Sequence, residues 1–128
     1  MSEKIKYSLS VQVVGGVSLP ITGEVTPEAY GKIQVAVTAG ASDMEVNLQP
    51  GGANLAEFLL VKSTSYGSAL TYKVNDAAAT AIALDGPHVF IGKGAVGILD
   101  SAPTKLFFSS GLAQDVTVDI LIGRDATP

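Results

Sequence analysis

Residues 88–100 read His88-Val89-Phe90-Ile91-Gly92-Lys93-Gly94-Ala95-Val96-Gly97-Ile98-Leu99-Asp100, and Gly92 to Gly97 spell G-x-G-x-x-G. In a dinucleotide-binding fold, a strand precedes this motif, a helix opens at its third glycine, and an acidic residue follows about 20 positions on. His88 to Ile91 supplies the strand. The helix fails, because five residues separate Gly97 from Pro103 and Ser101-Ala102-Pro103-Thr104 is turn chemistry. Asp115 stands 23 residues after Gly92 but opens a strand, and the 31 residues after Gly97 are too few for the rest of a doubly wound domain. The glycines therefore read as a turn or bulge between two strand halves. On that reading Gly94→Ala affects folding and no nucleotide cofactor is expected.

With the helix gone, the rest of the chain reads as strands. Ile5, Tyr7, Leu9, Val11 and Val13 recur at every second position, the period of an extended strand with one apolar face. Gly15-Gly16 ends that run. In Val17 to Val25, Pro20 has no N–H for a ladder and belongs at an edge or bulge. Alternation returns at Ile33, Val35 and Val37, at Met44, Val46 and Leu48, and at Leu70, Tyr72 and Val74. Leu55 to Val61 is too short for a free-standing helix and reads as a buried strand. Thr80 to Leu84, Val89 to Ile91, Lys105 to Ser109 and Val116 to Ile122 complete a set of eight to nine short strands. Turn signals separate them at intervals of roughly ten residues, which is the pattern of an all-β antiparallel sandwich. At 128 residues the chain is read as one domain, 1–128, with residues 1–14 as a possible N-terminal arm or strand.

Composition restricts the function classes. Apolar residues make up 47% of the chain and charged residues 16%, with a mean hydropathy of +0.37. The usual charged fraction is about 25%. A small domain cannot hide this much apolar material, so contact surfaces with other subunits are expected, as a homo-oligomeric trimer or dimer. The net charge is −4 and the eight Lys and Arg residues are scattered, which argues against nucleic acid as a partner. There is no cysteine for a disulfide or a thiolate metal site. The N-terminus alternates where a signal peptide would be continuously apolar, and no apolar run is long enough to read as a membrane span.

Candidate chemistry is sparse. His88 is the single histidine, Asp85 lies three residues before it across Gly86-Pro87, and no G-x-S-x-G elbow exists. It reads as a turn-flanking or interface histidine. Asp115 and Asp119 are four apart on a strand, about 13 Å by strand rise, too far for a paired acid and base. Tyr66, Tyr72, Phe90, Phe107 and Phe108 would serve as a sugar-stacking platform only if exposed, and most read as core. No catalytic, cofactor-binding or metal residue is assigned, and the chain is read as non-enzymatic.

Over roughly its last 75 residues the chain presents an ordered series: the apolar strand Ala56-Glu57-Phe58-Leu59-Leu60-Val61, a strand ending at Asn75, the turn Leu84-Asp85-Gly86-Pro87, the strand Thr104-Lys105-Leu106-Phe107, and a closing strand from Val116. In that order it resembles small virion proteins of tailed bacteriophages encoded beside the major capsid protein. The resemblance implies a jelly-roll capsid cement or decoration protein, located on the virion surface, with the major capsid protein as partner and no catalytic activity. The N-terminal strand is then the segment expected to reach a capsid sheet edge, because a terminal strand leaves its own sheet without breaking a loop. A receptor- or carbohydrate-binding sandwich of a tail or adhesin is the alternative, since a sandwich does not fix function.

Overall fold

The computed structural model describes residues 4–48, 56–99 and 103–124. Among these residues ten antiparallel strands form three sheets: β1 Ile5–Gln12, β2 Ser18–Val25, β3 Ala29–Val37, β4 Met44–Asn47, β5 Ala56–Ser63, β6 Leu70–Val74, β7 Ile82–Ala83, β8 His88–Ile91, β9 Lys105–Ser110 and β10 Val116–Arg124. One sheet runs β3-β10-β5-β8, the second β4-β9-β6-β7, and the third is the β1-β2 ribbon. Strands β3 to β10 pair first with last and inward, β3 with β10, β4 with β9, β5 with β8 and β6 with β7. This is one long hairpin turning at β6–β7 and rolled into two sheets, the winding of a jelly roll. The all-β sandwich reading holds.

Alternation decides which residues meet between the two sheets. Val116, Val118, Ile120 and Ile122 of β10, Leu59 and Val61 of β5, and Val37 of β3 point inward from one sheet. Leu70, Tyr72 and Val74 of β6, Leu106 and Phe108 of β9, and Val46 of β4 meet them from the other. Asn75, with a φ of 67°, turns out of β6, and its Oδ1 accepts the backbone N–H of Thr104 at 2.7 Å and of Lys105 at 3.2 Å. The Leu84-Asp85-Gly86-Pro87 turn is held through Leu84, whose N–H donates to the Leu70 carbonyl at 2.7 Å.

Two expectations are corrected. The described residues hold ten strands, because Ser18–Val25 is a strand despite Pro20; eight of them make the sandwich. The glycine motif is neither a plain turn nor a bulge: Lys93–Val96 forms one helical turn, α1. Gly92 precedes it at φ 97° and ψ 152°, a conformation reserved to glycine, and its N–H still donates to the Glu57 carbonyl at 2.8 Å. The turn carries Val96 into the core, where it is 1% exposed. A Cβ at Gly94 would meet nothing within 4 Å, so Gly94→Ala is not a folding lesion and Gly92 is the constrained position. Residues 97–99 are turn and 105–110 strand, without the helix a nucleotide site needs.

Candidate functional site

The β1-β2 ribbon is the feature that the sandwich does not require. Its register pairs Ile5 with Val25, Leu9 with Ile21 and Val11 with Leu19. The odd positions of both strands therefore share one face, which is apolar apart from the Tyr7 hydroxyl lying over Gly23. The opposite face carries Lys4, Lys6, Ser8, Ser10, Gln12, Ser18, Pro20, Thr22 and Glu24, with Lys4 and Glu24 paired at 3.7 Å. The arm thus spans both strands, through Val25, rather than ending at residue 14.

Hydrogen-bond phase explains how Pro20 is tolerated. The Val13 N–H donates to the Val17 carbonyl at 2.8 Å, so Val13 and Val17 form a hydrogen-bonded pair. Such pairs alternate with non-hydrogen-bonded ones. Ser10 and Pro20 fall in the second kind, with their main-chain groups directed away from the partner strand. The missing N–H of Pro20 consequently interrupts the outer edge of β2. The outer edge of β1, carried by the main-chain groups of Lys6, Ser8, Ser10 and Gln12, has no such interruption.

Burial along the arm decreases from base to tip. Ile5 and Val25 are half-buried, whereas Leu9 is 44% exposed, Val13 57%, Val17 65% and Leu19 62%. The base rests on the body because position 123 is glycine: a Cβ there would lie 2.7 Å from Ile5 Cδ1 and 3.0 Å from Pro27 Cγ. Full burial of a Val, Leu or Ile at ~25 cal/mol per Å² corresponds to roughly 60–120 Å² of apolar side chain, so the half-exposed arm face leaves about 200–400 Å² open. That reaches the lower part of the range of the largest patch on an ordinary monomer, about 300–600 Å², which is often functional. Covering it is worth roughly 5–10 kcal/mol before the cost of association.

Where the arm leaves the body it bounds a cleft of about 290 Å³. Ile5, Tyr7 and Leu9 form one wall; Phe58, Leu60, Val89, Ile91 and Leu121 on the outer face of the β3-β10-β5-β8 sheet form the other. Phe58 is 4% exposed although it faces away from the sandwich core, which locates the only part of this outer face that is well covered among the described residues.

The sequence-derived candidates for chemistry have structural partners instead. His88 is half-buried on the inward face of β8, and its Nδ1 lies 2.7 Å from the Tyr72 hydroxyl of β6. Burial pushes the Tyr72 phenol up from its ordinary value of 10.0, so the hydroxyl keeps its proton, and it shares a hydrogen bond with His88 Nδ1. This bond ties the two sheets together near an open apolar cleft of about 750 Å³, lined by Val74, Ile82, His88, Phe90 and Leu99 among others. Asp119 accepts from Gln34 Nε2 at 3.0 Å and Asp115 from the Ala39 N–H at 2.8 Å. Each fixes a neighbouring strand or its end. Tyr72 and Phe108 are wholly buried and Tyr66 accepts the Ser63 N–H at 3.2 Å, so the aromatic set is not an exposed platform. No group of three His, Cys, Asp or Glu residues with metal-site geometry occurs among the described residues.

Sequence reasoning missed Val17, Leu19 and Ile21 as the second strand of an exposed apolar face. Two alternating apolar runs across Gly15-Gly16 form a hairpin signal, and Pro20 obscured it. Compared with known proteins, the chain matches no family model, no curated sequence and no solved structure.

Proposed function

We propose that this protein is a non-enzymatic capsid cement or decoration protein of a tailed bacteriophage, which binds the outer surface of the assembled capsid, stabilises it and self-associates there. The observation that carries the reading is the amphipathic β1-β2 arm standing off a jelly-roll body. The body satisfies its own core, while the arm exposes an apolar face and an uninterrupted β1 edge, the two features by which a strand-rich protein attaches to another. Strand addition at β1 supplies main-chain hydrogen bonds to a sheet edge of the major capsid protein. The resemblance of residues 55–128 to phage virion proteins supports the same reading, and it lies in the body and not in the arm. The arm supports it independently.

A site composed of neighbouring capsid subunits exists only on the assembled lattice. The protein is therefore expected to bind shells tightly and free capsid subunits weakly. Preferential binding stabilises the assembled state by RT ln(1 + [L]/Kd), about 2.7 kcal/mol per site at a hundredfold excess over Kd. Decorated shells should withstand heat or chaotrope better than bare ones, and a chain lacking residues 1–25 should give no such protection. Electron cryo-microscopy of the virion decides the matter. Regular density on the outer capsid surface supports the reading, whereas density confined to tail fibres, with a positive glycan array, transfers the protein to the receptor-binding alternative.

A further inference from the structure

We infer that the free edge of β8 takes up an extended segment of another protein, one whose side chains are apolar at successive positions. This does not rest on the capsid reading. Hydrogen-bond phase leaves the edge ready for pairing. The Gly92 N–H donates to the Glu57 carbonyl at 2.8 Å, and the register continues with Phe90 opposite Leu59 and His88 opposite Val61. These residues turn their main-chain groups toward β5, so Val89 and Ile91, in the alternate pairs, turn theirs outward. β8 is the last strand of its sheet, and no described strand pairs with its other side. The other sandwich edges are protected: β3 carries Lys32, β4 carries Glu45, and β7 is only two residues long. β8, His88-Val89-Phe90-Ile91, contains no proline, lysine, arginine or carboxylate.

The two clefts fix the chemistry of the occupant. Side chains of an added strand alternate between the two faces of the sheet, and each face offers an apolar cleft along β8. At the margin of the core lies the cleft of about 750 Å³, where Val74, Ile82, Phe90 and Leu99 surround the space opposite the short β7. On the outer face lies the cleft of about 290 Å³, with Val89 and Ile91 in one wall and Tyr7 and Leu9 in the other. An amphipathic strand would fill one cleft and place polar groups in the other, so the segment that fits is apolar at every position. This chain has none to spare: its runs of four successive apolar residues are Phe58 to Val61 and Ala81 to Leu84, and these already form parts of β5 and β7. The β8 of a second copy matches the edge through its main chain, but its Phe90 packs against its own core and leaves the inner cleft open.

The probe is a capped peptide, Lys-Val-Leu-Val-Ile-Lys, titrated into the full-length chain. It should bind saturably and slow amide exchange at Val89 and Ile91 by about tenfold or more, while Phe90, already bonded to β5, stays unchanged. The same peptide with serine at every second position should bind about tenfold more weakly. Val89→Pro removes an outward donor without touching the β5 ladder, and Thr80→Trp places a ring at an exposed position in the lining of the inner cleft. Each should weaken binding by about tenfold and leave the urea midpoint of the sandwich in place. No saturable binding, equal binding of the serine peptide, protection that falls on β1 or β3 instead, or indifference to both substitutions would overturn the inference. Protection of Val89 and Ile91 that rises with protein concentration in the absence of peptide assigns the edge to a second copy and overturns it as well. Shell binding enters none of these measurements, so the inference and the capsid reading fail separately.

Discussion

The arm and the β10 strand are written in the same code and meet opposite fates. Ile5, Tyr7, Leu9 and Val11 recur at every second position, as Val116, Val118, Ile120 and Ile122 do. In β10 the apolar residues are 3% exposed or less, because a second sheet lies across them; in the arm Leu9 and Val11 are 44% and 48% exposed, because only its base meets the body. Period-two patterning establishes that a strand has an apolar face. It carries no information about which surface covers that face, since the cover comes from residues distant in sequence or from another molecule. The apolar excess in the composition is thus located: it lies largely on the arm and on the outer sheet face beside it.

The comparison breaks if arm and body prove energetically alike, and the sharpest contrast is in the core. Phe108→Ala removes a wholly buried ring packed against Tyr72, with centroids 5.8 Å apart, and should cost about 3–5 kcal/mol in urea unfolding. At the junction, Gly123→Val places side-chain atoms where Ile5 and Pro27 already lie and should cost about 1–3 kcal/mol. Its effect should be larger on the arm: limited proteolysis would cut near Val14 sooner while the sandwich survives. Equal loss of both parts would mean that the arm and body fold as one unit.

Tyr72→Phe sharpens the body side of the contrast through pH. The folded state holds the Tyr72 proton to higher pH than the unfolded chain, whose phenol ionises near 10, so the stability this group contributes is complete below about pH 10 and declines above it. The phenylalanine variant should lose about 1 kcal/mol at neutral pH, from the unpaired His88 nitrogen, and should show a shallower alkaline decline in urea midpoint than the parent. Parallel pH profiles would remove Tyr72 from the account. The smallest effect is expected in the arm, where Leu19→Ser at a concentration low enough to keep the chain monomeric should change the sandwich midpoint by no more than about 0.5 kcal/mol.

Much of the body was legible because its signals are local. Alternation located β3, β4 and β6, short apolar runs between turn signals located the other five sandwich strands, Pro103 removed the long helix that the glycine motif requires, and Asn75 and Leu84 to Pro87 marked turns that the structure contains. The α1 turn was not legible: four residues leave no periodicity to detect, and the positive φ of Gly92 is chosen by the need to carry Val96 into the core. His88 was read as a turn-flanking or interface residue, and its partner Tyr72 lies sixteen residues away on the other sheet, a distance no spacing rule spans. Pro20 obscured β2 because proline reports only a missing donor, and the consequence depends on whether that donor would have pointed into the ribbon or out of it.

By itself the sequence determined the strands, the apolar face of each and the exclusion of the dinucleotide fold, because these follow from side-chain period and from which backbone angles glycine and proline permit. Only the tertiary structure decided that β3 pairs with β10 and β4 with β9, that Tyr72 and His88 bridge the sheets, and that residues 5–25 stand apart as a ribbon with its apolar face open. Those outcomes depend on which surfaces meet, and the meeting is fixed by long-range burial: the rolled hairpin closes its own core with eight strands and leaves no inner face for the ninth and tenth.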